Sequence, residues 1–150
     1  KMTSTVKTPL ADGRRERSRS SRSKIVAAMV ELVGKGDVAP SAARVADVAG
    51  VGLRSVFRHF DDMDELYREM GEVIEAQVMP IILQPPTGAT WREKLFDIAD
   101  RRAMVFETIL PYRISANLKR FQSPYLMQDY RRMLRLESET IGSYLPAMVN

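Results

Sequence analysis

The sequence predicts an all-α fold on three observations. Apolar residues recur at helical offsets along most of the chain, no stretch holds the two-residue alternation of a half-buried strand, and the breaks fall at Gly and Pro clusters. At 150 residues, with 45% apolar and 28% charged residues, the chain can bury a core and lies in the globular range. No internal repeat is present.

Residues 1–13 mix Ser, Thr, Pro and Gly with few apolar side chains, so a flexible tail is expected there, short of the buried surface that offsets ordering entropy. Residues 14–24 carry five arginines and can be helical when continued by the apolar stripe Ile25, Val26, Met29, Leu32 and Val33, which Gly34 and Gly36 stop. Pro40-Ser41 opens a short second helix, with the Ser41 hydroxyl placed to accept from an orphan backbone N–H and Gly50 closing it. A third helix is expected over residues 52–59. Asp61, Asp62, Asp64 and Glu65 favour the start of a fourth, whose apolar positions run from Leu66 to Ile81. Gln84-Pro85-Pro86-Thr87-Gly88 is the strongest break. Beyond it, helices are expected over 91–107, 109–120 and 124–145, bounded by Pro111 and Ser123-Pro124, for about seven in all.

Several function classes are excluded by composition. Zero cysteines remove disulfides, thiolate metal sites and cysteine nucleophiles together. The single histidine, His59, leaves no spare imidazole for a His-rich metal site or a Ser-His-Asp triad, and neither GxxxxGK nor GxGxxG occurs. The chain is therefore expected to be no enzyme and to need no cofactor or metal. Its longest apolar runs, at Ile25 to Val30 and Val78 to Leu83, fall far short of a membrane span, and the expected location is the cytoplasm, on the nucleoid. The net charge of +4 conceals a division: residues 1–60 hold 12 Lys/Arg against 5 Asp/Glu, a net +7, and residues 61–150 hold 11 against 14, a net −3. A basic head on an acidic body points to a polyanionic partner for the head alone; the alternative is a basic terminus that is merely solvated.

Within the head, residues 39–66 pair a short helix with a second across a turn containing Gly50, the form of a helix-turn-helix unit. Val56, Phe57 and Phe60 recur at helical spacing and can pack on the first two helices, leaving Arg54, Ser55, Arg58 and His59 to project elsewhere. A helix about 10–12 Å wide fits the major groove of B-DNA, where base edges are read.

The stretch Ile25-Val26-Ala27-Ala28 through Glu31-Leu32, then Val45 to Phe60 (VADVAGVGLRSVFRHF), then Asp64-Glu65-Leu66, resembles the TetR family of bacterial transcriptional repressors. The match covers about residues 22–66, across three helices. The resemblance implies a three-helix DNA-binding domain over residues 14–66 and a helical ligand-binding and dimerisation domain over 67–150. It implies that Gly52 to His59 form the recognition helix, with Leu53 and Arg54 toward base edges and Ser55, Phe57 and His59 toward phosphates, while Ser41 and Arg44 approach the backbone. Spacing alone leaves Leu53 open between base contact and core. Phe57 replaces the tyrosine common in the family, which removes a hydroxyl that bonds phosphate, and Met63 replaces a common lysine. Arg14, Arg15, Arg17, Arg19 and Arg22 are expected to touch phosphate as a basic arm, a solvated extension being the alternative.

The implied function is a sequence-specific regulator of transcription, a repressor released from its operator in double-stranded DNA by a small apolar or amphipathic effector. The alternative is an effector-independent helix-turn-helix protein acting as a structural or protein-recruiting DNA binder. Trp91, Phe96, Met104, Tyr112, Met127 and Tyr130 are candidate pocket residues, although methionines and aromatics at this spacing usually fill a core. Arg101, Arg102, Arg113 and Asn117 are candidate polar contacts, with surface solvation as the alternative. The chain ends at Asn150, where TetR members continue through two more helices that form the homodimer. The C-terminal domain is thus expected to be incomplete and its helices from Trp91 onward to expose an apolar face.

Overall fold

A computed structural model describes residues 9–149, in which six α-helices follow one another and no strand occurs among the described residues: α1 (Pro9–Gly34), α2 (Ala42–Ala49), α3 (Leu53–His59), α4 (Met63–Ile82), α5 (Trp91–Arg120) and α6 (Pro124–Val149). The protein is all-α, as the periodicity predicts. No helix among these residues is long and apolar enough to cross a membrane.

The head is built on α1. Its predicted stripe is its buried stripe: Ile25 and Met29 are fully sealed, and Val33 nearly so. They pack with Val45 and Ala46 of α2, Val56 of α3 and Leu66 of α4, together with Phe60. Each such side chain contributes about 1.5–3 kcal/mol of transfer free energy. Helix α2 starts where Ser41 accepts from the Arg44 amide at 3.2 Å. It stops at Gly50, whose φ of 67° is strained for any residue with a Cβ. Helix α4 starts with reciprocal bonds, the Glu65 amide donating to the Asp62 carboxylate and the Asp61 amide to the Glu65 carboxylate.

In the body, α4, α5 and α6 pack on one another, and α4 and α5 also pack against α1. Two expectations are corrected here. Residues 109–120 do not form a separate helix: α5 runs unbroken through Pro111, giving six helices instead of seven. Proline removes one backbone bond from a helix, but Val105, Ile109 and Ser115 are buried on both sides of it, so packing holds the register. The tail expected over 1–13 is helical from Pro9 onward, as an extension of α1, and the rest of that segment lies outside the described residues.

Candidate nucleic-acid interface and adjoining cavity

Helix α3 has seven residues and two distinct sides. Val56 and Phe60 are 1% exposed and hold it to the head. Leu53 and Phe57 are 45% and 53% exposed, and Arg54 and Arg58 are exposed with them. Residues four apart share a helix face, so these four side chains make one outward surface with two cations and two large apolar groups. Leu53 is therefore not core, which closes the alternative left open by spacing. Phe57 does not pack inward with Val56 and Phe60: at one residue from Val56 it is turned about a quarter of the way round the helix, away from α1 and α2.

The remaining residues expected to touch DNA are distributed unevenly. Arg14, Arg15, Arg17 and Arg19 are exposed on the N-terminal turns of α1. Arg22 is committed elsewhere: its guanidinium donates to the Glu65 and Glu69 carboxylates and to the His59 carbonyl, and stacks 4.2 Å above the Phe60 ring. It joins α1, α3 and α4 instead of extending the basic arm. On α2, Ser41 caps the helix, and the Arg44 Nε lies 2.8 Å from Asp37 while its side chain remains largely exposed. Arg58 donates to the Ser55 hydroxyl at 3.0 Å, and Gly52 caps α3 through its backbone alone. His59 is partly buried, and its Nε2 has no hydrogen-bond partner. Burial, with Arg58 and Arg22 beside it, holds its pKa below the ordinary value, so it is neutral at physiological pH.

Behind the head, α4, α5 and α6 line a partly open cavity of about 140 Å³. Along α5 its lining runs at helical spacing from Arg102 through Val105, Ile109, Tyr112 and Ala116 to Arg120. Of the six candidate pocket residues, Tyr112 and Tyr130 face it. Trp91, Phe96 and Met104 do not, and they are 54%, 69% and 49% exposed. Met127 is partly buried outside the lining. The cause is angular: Phe96 and Met104 are out of phase with the lining stripe, and Trp91 precedes its first turn. Arg102, Arg113 and Asn117 line the cavity, whereas Arg101 donates to the Ile81, Gln84 and Pro85 carbonyls and to Asp97, tying down the α4–α5 connection.

The cavity touches the head at specific atoms. Tyr67, Met70 and Leu126 belong both to its lining and to the core around α1. The Tyr112 hydroxyl donates to the Val30 carbonyl at 3.4 Å and closes on Gly34, where an added Cβ would come within 2.8 Å of it. One turn on, the buried Ser115 hydroxyl donates to the Val38 carbonyl at 2.7 Å, in the α1–α2 connection. Burial raises the Tyr67 phenol above its ordinary pKa, and the Ser115 hydroxyl opposes that shift.

Reasoning from sequence missed Arg120, Tyr67 and Ser115. The available signal was the register of α5 across Pro111, which places Arg102, Val105, Ile109, Tyr112, Ala116 and Arg120 on one side. No family model, curated protein or solved structure matches this chain.

Proposed function

We propose that the protein is a DNA-binding regulator of transcription of the TetR type, a repressor whose head leaves its operator when a small molecule fills the cavity between α4, α5 and α6. The observation that carries this reading is the outward surface of α3, where Leu53, Arg54, Phe57 and Arg58 stand exposed on a short helix anchored by Val56 and Phe60. An arginine fork matches guanine O6 and N7, and exposed apolar groups suit thymine methyls or the sugar edge. Arg14, Arg15, Arg17 and Arg19 supply phosphate contacts.

A route for regulation follows from the shared residues. A ligand against Tyr67, Met70 or Tyr112 presses on groups that also support α1 and the start of α2. It biases the head only to the extent that it binds one arrangement more tightly than the other. Two heads are needed to span two half-sites about one helical turn apart, so the active species is a homodimer. Leu110, Ile114, Leu118 and Phe121, all exposed on the side of α5 away from the cavity, offer an apolar face for association.

Fluorescence anisotropy on genomic fragments tests the reading. Arg54→Ala is expected to cost about 1–3 kcal/mol on the preferred site and to relax one base position, with little effect on random DNA. Replacing Arg14, Arg15, Arg17 and Arg19 by alanine should flatten the salt dependence by about 0.9 in log–log slope per lost phosphate contact. An Arg54→Ala loss that is equal on every sequence would make Arg54 a phosphate contact, and no DNA binding at all would end the proposal.

A further inference from the structure

The charges lining the cavity are not balanced in their contacts. Its carboxylates are all engaged: Glu75 and Asp129 are held by Arg132 at 2.7 and 3.1 Å, and Glu137 by Arg113. Two of its arginines are not. The Arg120 Nε and Nη1 and the Arg102 Nη2 are buried without a hydrogen-bond partner. The Arg120 guanidinium lies against two ring faces, Tyr130 at 3.9 Å and Phe121 at 4.7 Å. Counting Arg132, four guanidinium groups meet three carboxylates, one negative charge short of neutrality. A buried charged donor left unpaired is costly, so such groups mark a place where an acceptor belongs.

The rest of the cavity sets the shape of what carries that charge. Its walls between the two arginines are chiefly apolar, with Met70, Ile74, Val105, Ile109 and Met133, and the charged pair Arg113–Glu137 among them is mutually satisfied. Arg102 and Arg120 lie 18 positions apart on one helix, about 27 Å of axial rise at 1.5 Å per residue. The lining follows α5 over that length and is chiefly apolar, which suits a long apolar chain laid along the helix. The arginine with two unpartnered donors is Arg120, one turn from Asn117 in the same lining. It also lies at the end of the cavity where Tyr67, Met70 and Leu126 join the head core.

We infer that this cavity binds an amphipathic monoanion with an unbranched acyl tail, its carboxylate accepting from Arg120 and its tail lying along α5 toward Arg102. This deepens the regulator reading, in which the same cavity is the effector site. Binding is measured without DNA, however, so the two stand or fall on separate data. A carboxylate at Arg120 supplies the missing charge and sits where a ligand reaches the head.

Isothermal titration calorimetry of the full chain with dodecanoate below its micellar range and dodecan-1-ol below its solubility limit provides the test. Dodecanoate should bind one per chain and at least tenfold more tightly than the alcohol. Arg120→Gln should remove that preference, weakening dodecanoate at least tenfold while leaving the alcohol unchanged. Ala116→Phe, which fills the lining between the two ends, should abolish binding of both, with its unfolding temperature confirming that the variant folds. Arg102→Gln should leave dodecanoate binding intact, because an extended twelve-carbon chain held at Arg120 ends far short of Arg102. Equal affinity for acid and alcohol, an Arg120→Gln effect shared by both, weak multiple binding that survives Ala116→Phe, or no binding would each overturn the inference.

Discussion

In the head, Ile25, Met29, Val45 and Leu66 are sealed completely from solvent; in the body, Ile74, Val78, Val105 and Ile109 keep 5–7% exposure and border a cavity. The most exposed large apolar groups of the head are Leu53 and Phe57 on α3, with the smaller Val38 and Val48 exposed beside the ends of α2. The body leaves Leu110, Ile114, Leu118 and Phe121 uncovered along α5. Helices that meet around α1 form a core needing nothing further, whereas three long helices with arginines in their shared lining leave space and donors for another molecule. Under the proposed function, a close-packed core suits a head that presents α3 in one orientation, and a loosely filled one suits a body whose packing changes with occupancy.

The sharpest way to break this comparison is to remove volume from each half. Phe60→Ala should cost about 3–5 kcal/mol, because Phe60 is 1% exposed and does not itself border the cavity. Ile109→Ala should lie near about 2 kcal/mol, since its wall already faces open space and less new cavity is created. Urea unfolding of both variants settles the point, and equal losses would mean that the body is packed as tightly as the head.

Ion pairs offer a second contrast. Arg22 has its side chain 33% exposed and binds Glu65, Glu69 and the His59 carbonyl, so Arg22→Met should cost about 1–3 kcal/mol by stranding charged partners. Arg132 bridges Glu75 and Asp129 but is 46% exposed, and Arg132→Met should cost less than about 1 kcal/mol. A reversal of that order, read from the same urea curves, would place the stronger electrostatic clamp in the body. A third contrast concerns association. The exposed stripe on α5 should give weak, concentration-dependent self-association in sedimentation, reduced by Leu118→Glu and unaffected by Arg58→Glu on α3. A tight dimer insensitive to Leu118→Glu would move the interface elsewhere.

How far these features were legible in the sequence differs between the halves in the same way. The stripe of α1, the Ser41 cap, the Gly50 stop and the acidic start of α4 are local patterns, each set within a few residues, and each is found where the pattern predicts. The exposure of Phe57 was less legible, because a three-residue or four-residue offset from both Leu53 and Phe60 fits either side of a short helix. In the body, Pro111 reads as a boundary from local chemistry alone. Long-range packing overrides it, and once α5 is divided there the alignment of Arg102 with Arg120 disappears. The partners of Arg22 were hidden for a related reason: Glu65 and Glu69 lie more than forty positions away, and Glu65 already has a local explanation as a residue opening α4.

The smallest expected effect isolates a single proton in the head. His59 is the only histidine, its Nε2 is buried without a partner, and burial together with Arg58 and Arg22 lowers its pKa from the ordinary 6.5. The folded state therefore disfavours the imidazolium, while the unfolded chain takes up the proton at its ordinary value. Stability is then complete above about pH 6.5, falls as the pH drops through that value, and levels once the folded His59 is itself protonated. The lowered carboxylates Glu65, Glu93 and Asp97 act with the same sign but only below about pH 4.5, leaving the interval from 6.5 to about 5 to His59. Since one proton sets a ceiling of about 1.4 kcal/mol per pH unit and His59 is partly solvated, the slope should be a fraction of that ceiling. Thermal unfolding across this interval should decline for the native chain and stay flat for His59→Gln. A native profile that is already flat would mean that water reaches Nε2 in solution and that the junction of α3 with α4 is less tightly closed than the rest of the head.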